Sequence, residues 1–274
     1  MAEDMKSQSE SNIKDKSQQK DDQKDKNKSK FQFDELQMYY GLDYKINEQI
    51  IIKQPTIGQI IEVGEKKLYS SIMPFVSNPT SYRLQLWDMG VDWNTISDFD
   101  LFAMLMQGVS TEISQLIFGG IDFQDFNQYN KTLESGDVIK VLYSPNQNIE
   151  IDEDTYIHIA EYLRMLFNIH PKVETTKGRT MKEWLIEEER EKLRLQKDED
   201  PKSTLLPMIS TYLNHPGTKY KKQELYNVGI YEFMDSIKRL QIYESTIALM
   251  HGMYSGMIDM KGMDQNALNF MRDD

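Results

Sequence analysis

The longest helical repeat of apolar residues in the chain lies between Gly229 and Met257. These apolar side chains recur at steps of three and four residues, which places them on one face of a helix. They are Ile230, Phe233, Met234, Ile237, Leu240, Ile247, Met250, Tyr254 and Met257. Because the opposite face carries charges such as Lys238 and Glu244, the pattern predicts a long amphipathic helix and not a membrane span. At 1.5 Å per residue this helix would be roughly 40 Å long, and we expect the rest of the chain to pack against it.

Shorter apolar repeats predict further helices before and after this one. Thr56, Ser97 and Asp152 each precede such a repeat, where a side-chain oxygen can accept hydrogen bonds from the first free N–H groups of a helix. The helices are expected over 57–73, 81–89, 98–107, 111–118, 153–167, 180–197, 203–213 and 265–271. The helix over 180–197 is so rich in charged residues that we expect it to protrude into solvent.

Two β-hairpins are predicted from short apolar runs that flank polar turns. The first joins 44–46 to 49–52, and the second joins 138–143 to 148–151. The two hairpins are expected to pair into one small sheet. The fold class is therefore predicted to be mainly α with a small antiparallel β element (α+β), a helical bundle around the long C-terminal helix.

Changes in composition divide the chain into four parts. Residues 1–30 hold 8 lysines, 7 acidic residues and no aromatic residue, so they cannot bury enough surface to offset the entropy of ordering. We expect a disordered charged tail there, and whether it is only a solvated tail or a recruitment arm stays open. An N-terminal α+β part with the small sheet is expected over 31–170, a charged helix with linkers over 171–202, and a C-terminal helical part over 203–274.

The net charge of the chain bears on the kind of partner it can bind. Residues 31–274 carry 24 basic and 37 acidic side chains, a formal charge of −13. Binding to nucleic acid needs a basic face that displaces counterions, so no nucleic-acid partner is expected. An acidic surface would suit a basic protein partner. No signal peptide is expected because the first 30 residues lack an apolar stretch, and no membrane association is predicted because no apolar run approaches 18 residues.

Motifs that carry catalytic or metal-binding chemistry are not found. The chain has no cysteine, which excludes disulfides, thiol catalysis and cysteine-ligated zinc. The acidic run Asp152–Asp154 is best explained as a helix cap, and Gly252–Gly256 misses the serine nucleophile elbow by one position. None of the four histidines falls in a zinc-binding spacing; they are His158, His170, His215 and His251. We therefore predict no catalytic residue, no cofactor and no metal.

Methionine is abundant, with 17 residues, and five of them crowd the C-terminal region: Met250, Met253, Met257, Met260 and Met263. Two interpretations stay open. The flexible thioethers could fill gaps in the protein's own core, or they could form an adaptable apolar surface that accepts a helix of a partner.

Five segments, taken together and in order, resemble a protein of long-tailed phages that infect Gram-positive bacteria. They are Gln54–Glu65 (QPTIGQIIEVGE), Asp88–Asp92 (DMGVD) with Ile96–Phe99 (ISDF), Leu205–Ser210 (LLPMIS), Phe233–Leu240 (FMDSIKRL) and Met253–Asp259 (MYSGMID). The family is the tail assembly chaperone, encoded between the tail-tube and tape-measure genes. The resemblance covers roughly residues 42–274 and does not include the charged tail.

The resemblance implies a non-enzymatic role in viral morphogenesis. Such chaperones keep the long helical tape-measure protein soluble, recruit tail-tube subunits in the host bacterial cytoplasm, and are absent from the mature virion. The partners implied are thus the tape-measure and tail-tube proteins, while the oligomeric state is left open and includes a homo-oligomer. Two other interpretations remain. One is a structural tail or neck protein of the virion, and the other is a host-directed phage effector or an unrecognised hydrolase.

A tape-measure chain exposes apolar helical faces, which a partner can cover by binding the helix in a groove. On this basis we predict that five residues near the end of the long helix line a partner-binding groove. They are Tyr243, Met250, Met253, Tyr254 and Met257.

Overall fold

A computed structural model describes residues 31–196, 202–258 and 264–273 of the chain. In these ranges there are eleven α-helices and five short β-strands, which confirms the predicted mainly α fold with a small antiparallel β element. The helices are α1 (Glu35–Tyr39), α2 (Ile57–Val63), α3 (Glu65–Val76), α4 (Arg83–Asp88), α5 (Asp98–Leu105), α6 (Thr111–Phe118), α7 (Glu153–Leu166), α8 (Arg179–Gln196), α9 (Leu205–Asn214), α10 (Lys222–Leu225) and α11 (Ile230–Tyr254). The predicted disordered tail, residues 1–30, lies outside the described residues.

The strands form two separate sheets. They are β1 (Tyr44–Lys45), β2 (Ile51–Ile52), β3 (Asn127–Thr132), β4 (Val138–Ser144) and β5 (Ile149–Ile151). Both predicted hairpins are present, with Tyr44 opposite Ile52 in the first and Leu142 opposite Ile151 in the second. The expectation that the hairpins pair with each other is wrong.

Two contacts explain why the sheets stay apart. After β2, the N–H of Lys53 donates to the carbonyl of Ile117 at the end of α6, 2.7 Å away, so the chain joins a helix there. The open edge of β4 is taken by β3, which pairs with it from Asn127 opposite Tyr143 to Thr132 opposite Val138. Strand β3 was not predicted because all its side chains are exposed and mostly polar, so it has no alternation of apolar and polar residues.

The core is organised around α3, which packs against α5, α6 and α7, contrary to the expectation that the rest of the chain packs against the long C-terminal helix. The ring of Phe75 on α3 lies 4.9 Å from Phe102 on α5, 4.8 Å from Phe118 on α6 and 5.2 Å from Phe123 (ring centroids). Phe102 in turn stacks on Tyr156 of α7 at 4.8 Å. All five rings are buried, so this aromatic cluster joins four α-helices and the short 3-10 helix Phe123–Asp125 into one core.

The predicted continuous helix over 57–73 is broken in two. Thr56 caps α2 as expected, with a reciprocal hydrogen-bond pair to Gln59. Gly64 then adopts φ = 88°, in the region of positive φ that favours glycine, so α2 ends there and α3 starts at the next residue. The second helix also continues past Pro74 to Val76.

Arg164 of α7 joins the end of α3 to the start of α5. Its guanidinium donates to the carbonyl oxygens of Val76 and Ser77, at 2.8 and 2.9 Å, where α3 leaves backbone acceptors without helical partners. The same guanidinium lies 3.2 Å from the carboxylate of Asp98, the first residue of α5. The side chain of Arg164 thus satisfies backbone acceptors at the end of α3 and orients the start of α5.

The charged helix α8 does not protrude into solvent, contrary to the expectation for 180–197. Ile186 is buried in a cluster with Leu84, Leu86, Trp93 and Leu101. The charges on α8 are used in docking, because they form ion pairs with the segment from α4 to the loop that follows it. These pairs are Arg83–Glu189, Asp88–Arg190 and Asp92–Lys182.

The long helix α11 has the predicted position, with 25 residues. Its start is fixed to the start of α2, since the N–H of Ile230 donates to Pro55 at 3.0 Å and the N–H of Ile57 donates to Val228 at 2.9 Å. Ile230 and Phe233 are buried there. Farther along, Ile242 and Thr246 are its only other buried residues, so the helix becomes progressively exposed toward its C-terminal end.

Within the described residues, no single helix has the length and apolar character needed to cross a membrane. The segments Asp98–Gly108 and Thr111–Phe118 meet that test only as a pair, and they are bent by 118° relative to each other.

The start of α9 is capped by Glu65, the first residue of α3. Its carboxylate accepts from the backbone N–H groups of Thr204 and Leu205 at 2.8 and 3.1 Å, and from the hydroxyls of Ser203 and Thr204. Partial burial opposes ionisation, but the hydrogen bonds outweigh it and lower the pKa of Glu65. The carboxylate therefore stabilises the docking of α9 in its ionised form.

Replacing this cap gives a testable change in stability. Glu65→Ala should lower the free energy of unfolding by about 1–2 kcal/mol, as loss of a helix cap does. A carboxyl with a lowered folded-state pKa stabilises above its ordinary value of 4.5 and loses that contribution as the pH falls through the folded-state pKa. Urea unfolding of the original chain and of Glu65→Ala should thus show a difference in the free energy of unfolding at neutral pH, and this difference should shrink in acid. Glu187→Ala on the exposed face of α8 is the control, and a difference that does not change with pH would contradict this role.

Candidate partner-binding face

The C-terminal end of α11 is unusually free of charge. Residues 245–258 contain no Asp, Glu, Lys or Arg, although charged residues make up 28% of the chain. Removing the side chains of these helix residues from water costs little, because none of them carries a formal charge. Depletion of charge is also typical of the centre of a protein–protein interface.

The structure places the five predicted groove residues at this end, and they are not sealed in the core. Tyr243, Met250 and Tyr254 fall on one face of α11, at steps of seven and four residues. Met250 and Met253 are half-buried. Tyr254 is 76% exposed and Met257, just beyond the helix, is 86% exposed. These two side chains project from the surface and could insert between side chains of a partner.

A tight turn ends the helix and sets the position of Met257. Gly256 adopts φ = 72°, and the N–H groups of Met257 and Ile258 both donate to the carbonyl of Gly252, at 3.0 and 3.2 Å. This left-handed end is a common way to satisfy the last carbonyls of a helix. The turn therefore presents Met257 on a backbone that is itself hydrogen-bonded.

Residues 264–273, which we name the C-terminal strap, lie along α11. Arg272 donates to the hydroxyl of the buried Thr246 at 2.8 Å, to the carbonyl of Ala267 at 2.7 Å and to Ser245 at 3.0 Å. Arg239 of α11 donates to the backbone carbonyl of Arg272 and to the carboxylate of Asp273, both at 2.8 Å. The hydrogen bond from Arg239 lowers the pKa of Asp273. Two arginines thus hold the strap against the helix.

The strap adds Phe270 to this surface and exposes the neighbouring Met271. Phe270 stacks on Tyr243, with ring centroids 5.5 Å apart, and Met271 is 82% exposed. Sequence reasoning missed both residues, because their position depends on arginine contacts between segments far apart in sequence. The one available signal was an apolar pair after the helix-capping residue Asp264. We call Tyr243, Tyr254, Met257, Phe270 and Met271 the C-terminal apolar face.

A second group of exposed apolar residues lies on α8, where Met181 and Trp184 are about half exposed. Its surroundings differ from those of the C-terminal apolar face. Arg179 and Glu183 form an ion pair within the same turn of helix, and Lys182 and Asp92 form another beside it. Met181 and Trp184 are therefore a matched comparison for the C-terminal apolar face, because similar exposed side chains lie here among charged residues.

Three of the four histidines lie within hydrogen-bonding distance of another side chain. His158 lies 2.8 Å from the hydroxyl of Tyr44, and burial lowers the pKa of His158. His170 lies 2.9 Å from Asn168, and His215 lies 2.8 Å from Glu244. In the part of the chain that the structure describes, no three His, Asp or Glu side chains are grouped so that they could hold a metal ion.

Comparisons with protein-family models, with curated proteins and with solved structures find no match to this chain.

The packing of the strap can be tested by hydrogen exchange. Arg272→Ala removes the charged donor to Thr246, Ser245 and Ala267, and hydrogen bonds of charged groups contribute about 1.5–3 kcal/mol. The amides of Ala267 and Asn269 should therefore exchange roughly tenfold or more faster, while the amides of α3 should keep their protection.

Lys192→Ala, which breaks an exposed pair with Glu188 on α8, is the matched control for loss of a cation. Unchanged exchange at Ala267 and Asn269 in Arg272→Ala would show that Arg272 does not hold the strap.

Proposed function

We propose that this protein is a phage tail assembly chaperone, which binds the tape-measure protein without transforming a substrate and assists assembly of the tail tube. The order of the five segments quoted above supports the family, and a chaperone of that family has no catalytic residue. Its site of action would be the host bacterial cytoplasm, and it would be absent from the mature virion. The net charge of −12 suits a role in keeping an apolar partner soluble.

The observation that carries this proposal is the C-terminal apolar face. Large apolar side chains are exposed together at the end of a helix whose last turns carry no formal charge. Exposed apolar clusters of this kind mark surfaces that bind other chains, because leaving them in water is unfavourable. Aromatic and methionine side chains are also enriched in the core of interfaces.

The exposure of the five predicted residues suggests how a partner helix would contact them. Tyr254 and Met257 stand out from the surface, whereas Met250 and Met253 are half-buried. On this geometry the tape-measure helix would receive Tyr254 and Met257 between its own side chains, and Tyr243 with Phe270 would form an adjoining flat surface. Thioethers adapt to varied shapes, which suits a partner with many similar apolar helical faces.

Substitution at the two most exposed residues of α11 and its end tests the proposal. Full burial of one such side chain contributes about 1.5–3 kcal/mol, so Tyr254→Asp with Met257→Asp should weaken binding by about 100-fold or more. The measurement is co-purification of the tape-measure protein with the tagged full chain after co-expression. Because both residues are exposed, the variant should keep its helix content and its free energy of unfolding.

The control is Met181→Asp with Trp184→Asp, which places the same charges on a methionine and an aromatic residue of α8. This control should still co-purify with the tape-measure protein. Retained co-purification in the folded Tyr254→Asp, Met257→Asp variant would exclude the C-terminal apolar face as the binding surface.

A further inference from the structure

A cavity of 620 Å³ lies beside α11, on the side bordered by α1 and α9. Four tyrosines from four segments of the chain line it: Tyr39, Tyr212, Tyr220 and Tyr243. The volume falls in the range of small-molecule and side-chain binding sites. We call it the tyrosine cavity, and its wall is aromatic with hydroxyl groups on the rings.

Two carboxylates, Asp235 and Glu232, act on the tyrosines of the cavity, whose lining also includes the cations Lys219 and Arg239. Asp235 lines it, and Glu232 accepts a hydrogen bond from the hydroxyl of Tyr220 at 2.6 Å. This hydrogen bond, together with burial, raises the pKa of Tyr220 to about 12. Burial and then the charges of Glu232 and Asp235 raise the pKa of Tyr39. The charges of both carboxylates therefore act on the phenol oxygens of the wall.

The cations near the cavity are mostly engaged elsewhere. Arg239, which also lines the cavity, directs its terminal nitrogens to the strap and forms an ion pair with Asp235 in which its Nε lies 3.4 Å from the carboxylate. His215 is hydrogen-bonded to Glu244 at 2.8 Å. Lys219 is exposed at the rim. Asp235 therefore retains the capacity to accept further hydrogen bonds.

Two hydroxyls in the wall also have free capacity. Within the described ranges, the side chains of Tyr39 and Tyr212 make no hydrogen bond, although both line the cavity. A neutral phenol donates one hydrogen bond and accepts others. A ligand could thus meet a carboxylate, hydroxyl oxygens and ring faces at once.

From these observations we infer that the tyrosine cavity binds a guanidinium group on an alkyl stem, supplied by an arginine side chain of a partner or by a small guanidino compound. A guanidinium is planar, carries five donors and no acceptor, and stacks on aromatic rings. Its donors match the oxygens of Asp235 and of the two tyrosines, and its stem fits an aromatic wall. This inference does not depend on the proposed chaperone function.

The test compares a charged probe with its neutral counterpart. The full chain is titrated by calorimetry with N-acetyl-arginine amide and, separately, with N-acetyl-citrulline amide, which has nearly the same shape without the charge. Saturable binding of the arginine probe, at least tenfold tighter than that of the citrulline probe, is the expected result. Equal binding of the two probes, or no binding of either, would overturn the inference.

Variants locate the binding in the tyrosine cavity. Asp235→Asn keeps the size of the side chain and removes its charge, and should weaken binding of the arginine probe by tenfold or more. Tyr212→Phe removes one hydroxyl and should weaken binding of the arginine probe severalfold. Because this variant leaves the contact between residues 235 and 239 intact, it separates the effect on binding from any change in the strap. Glu187→Gln, an exposed carboxylate on α8, is the matched control and should bind as the original chain does. Unchanged affinity in both cavity variants would place the binding elsewhere and reject the site.

A third probe, agmatine, distinguishes the two sources of the guanidinium. Agmatine has the same group and stem but no peptide backbone. If agmatine binds as tightly as N-acetyl-arginine amide, the cavity suits small guanidino compounds. If the capped residue binds tenfold or more tightly, the site suits an arginine within a protein chain.

Discussion

The packing of Phe75 against three other phenylalanine rings is the contact on which the rest of the structure depends. This ring brings α3 together with α5 and α6, and Phe102 extends the cluster to Tyr156 of α7. Once α7 is in place, Arg164 can satisfy the end of α3 and orient α5. Large-to-small changes in such a buried aromatic core typically cost about 3–5 kcal/mol, a large part of the stability of a domain.

This core also determines which part of α11 is available to a partner. Helix α2 is followed by α3 at Gly64, and the start of α2 is hydrogen-bonded to the start of α11. The first turns of α11 are therefore fixed close to the main core, where Ile230 and Phe233 are buried. The distal turns are held by the C-terminal strap, and they keep their apolar residues exposed. Under the proposed function, the anchored end of α11 would belong to the protein's own fold, and the exposed end would be desolvated by the partner.

The sequence predicted local structure well where a capping residue and a helical repeat occur together. Thr56, Ser97 and Asp152 cap helices as expected, and Thr111–Phe118 has the bounds that were predicted. Prediction from the sequence failed where the local structure depends on contacts between distant segments. Strand β3 is set by pairing with β4, and α8 docks through Ile186 and ion pairs to α4, neither of which leaves a periodic signal.

The same distinction applies to the candidate site. The exposure of Tyr254 and Met257 agrees with a surface role for the methionine-rich end, which spacing alone could not separate from a core role. Phe270, Met271 and the tyrosine cavity could not be predicted, because they are assembled from segments that arginine and aromatic contacts bring together. Of the five residues predicted to line a groove, Tyr254 and Met257 project from the surface, and Tyr243 also lines the tyrosine cavity.

The central claim, that the end of α11 covers a helical surface of the tape-measure protein, is tested most directly by site-specific photo-crosslinking in infected cells. A photoreactive amino acid at position 257 should capture the tape-measure protein before tails are complete, whereas the same residue at position 181 on α8 should not. Efficient capture from position 181 with none from position 257, or no crosslink to the tape-measure protein from either position, would contradict the account.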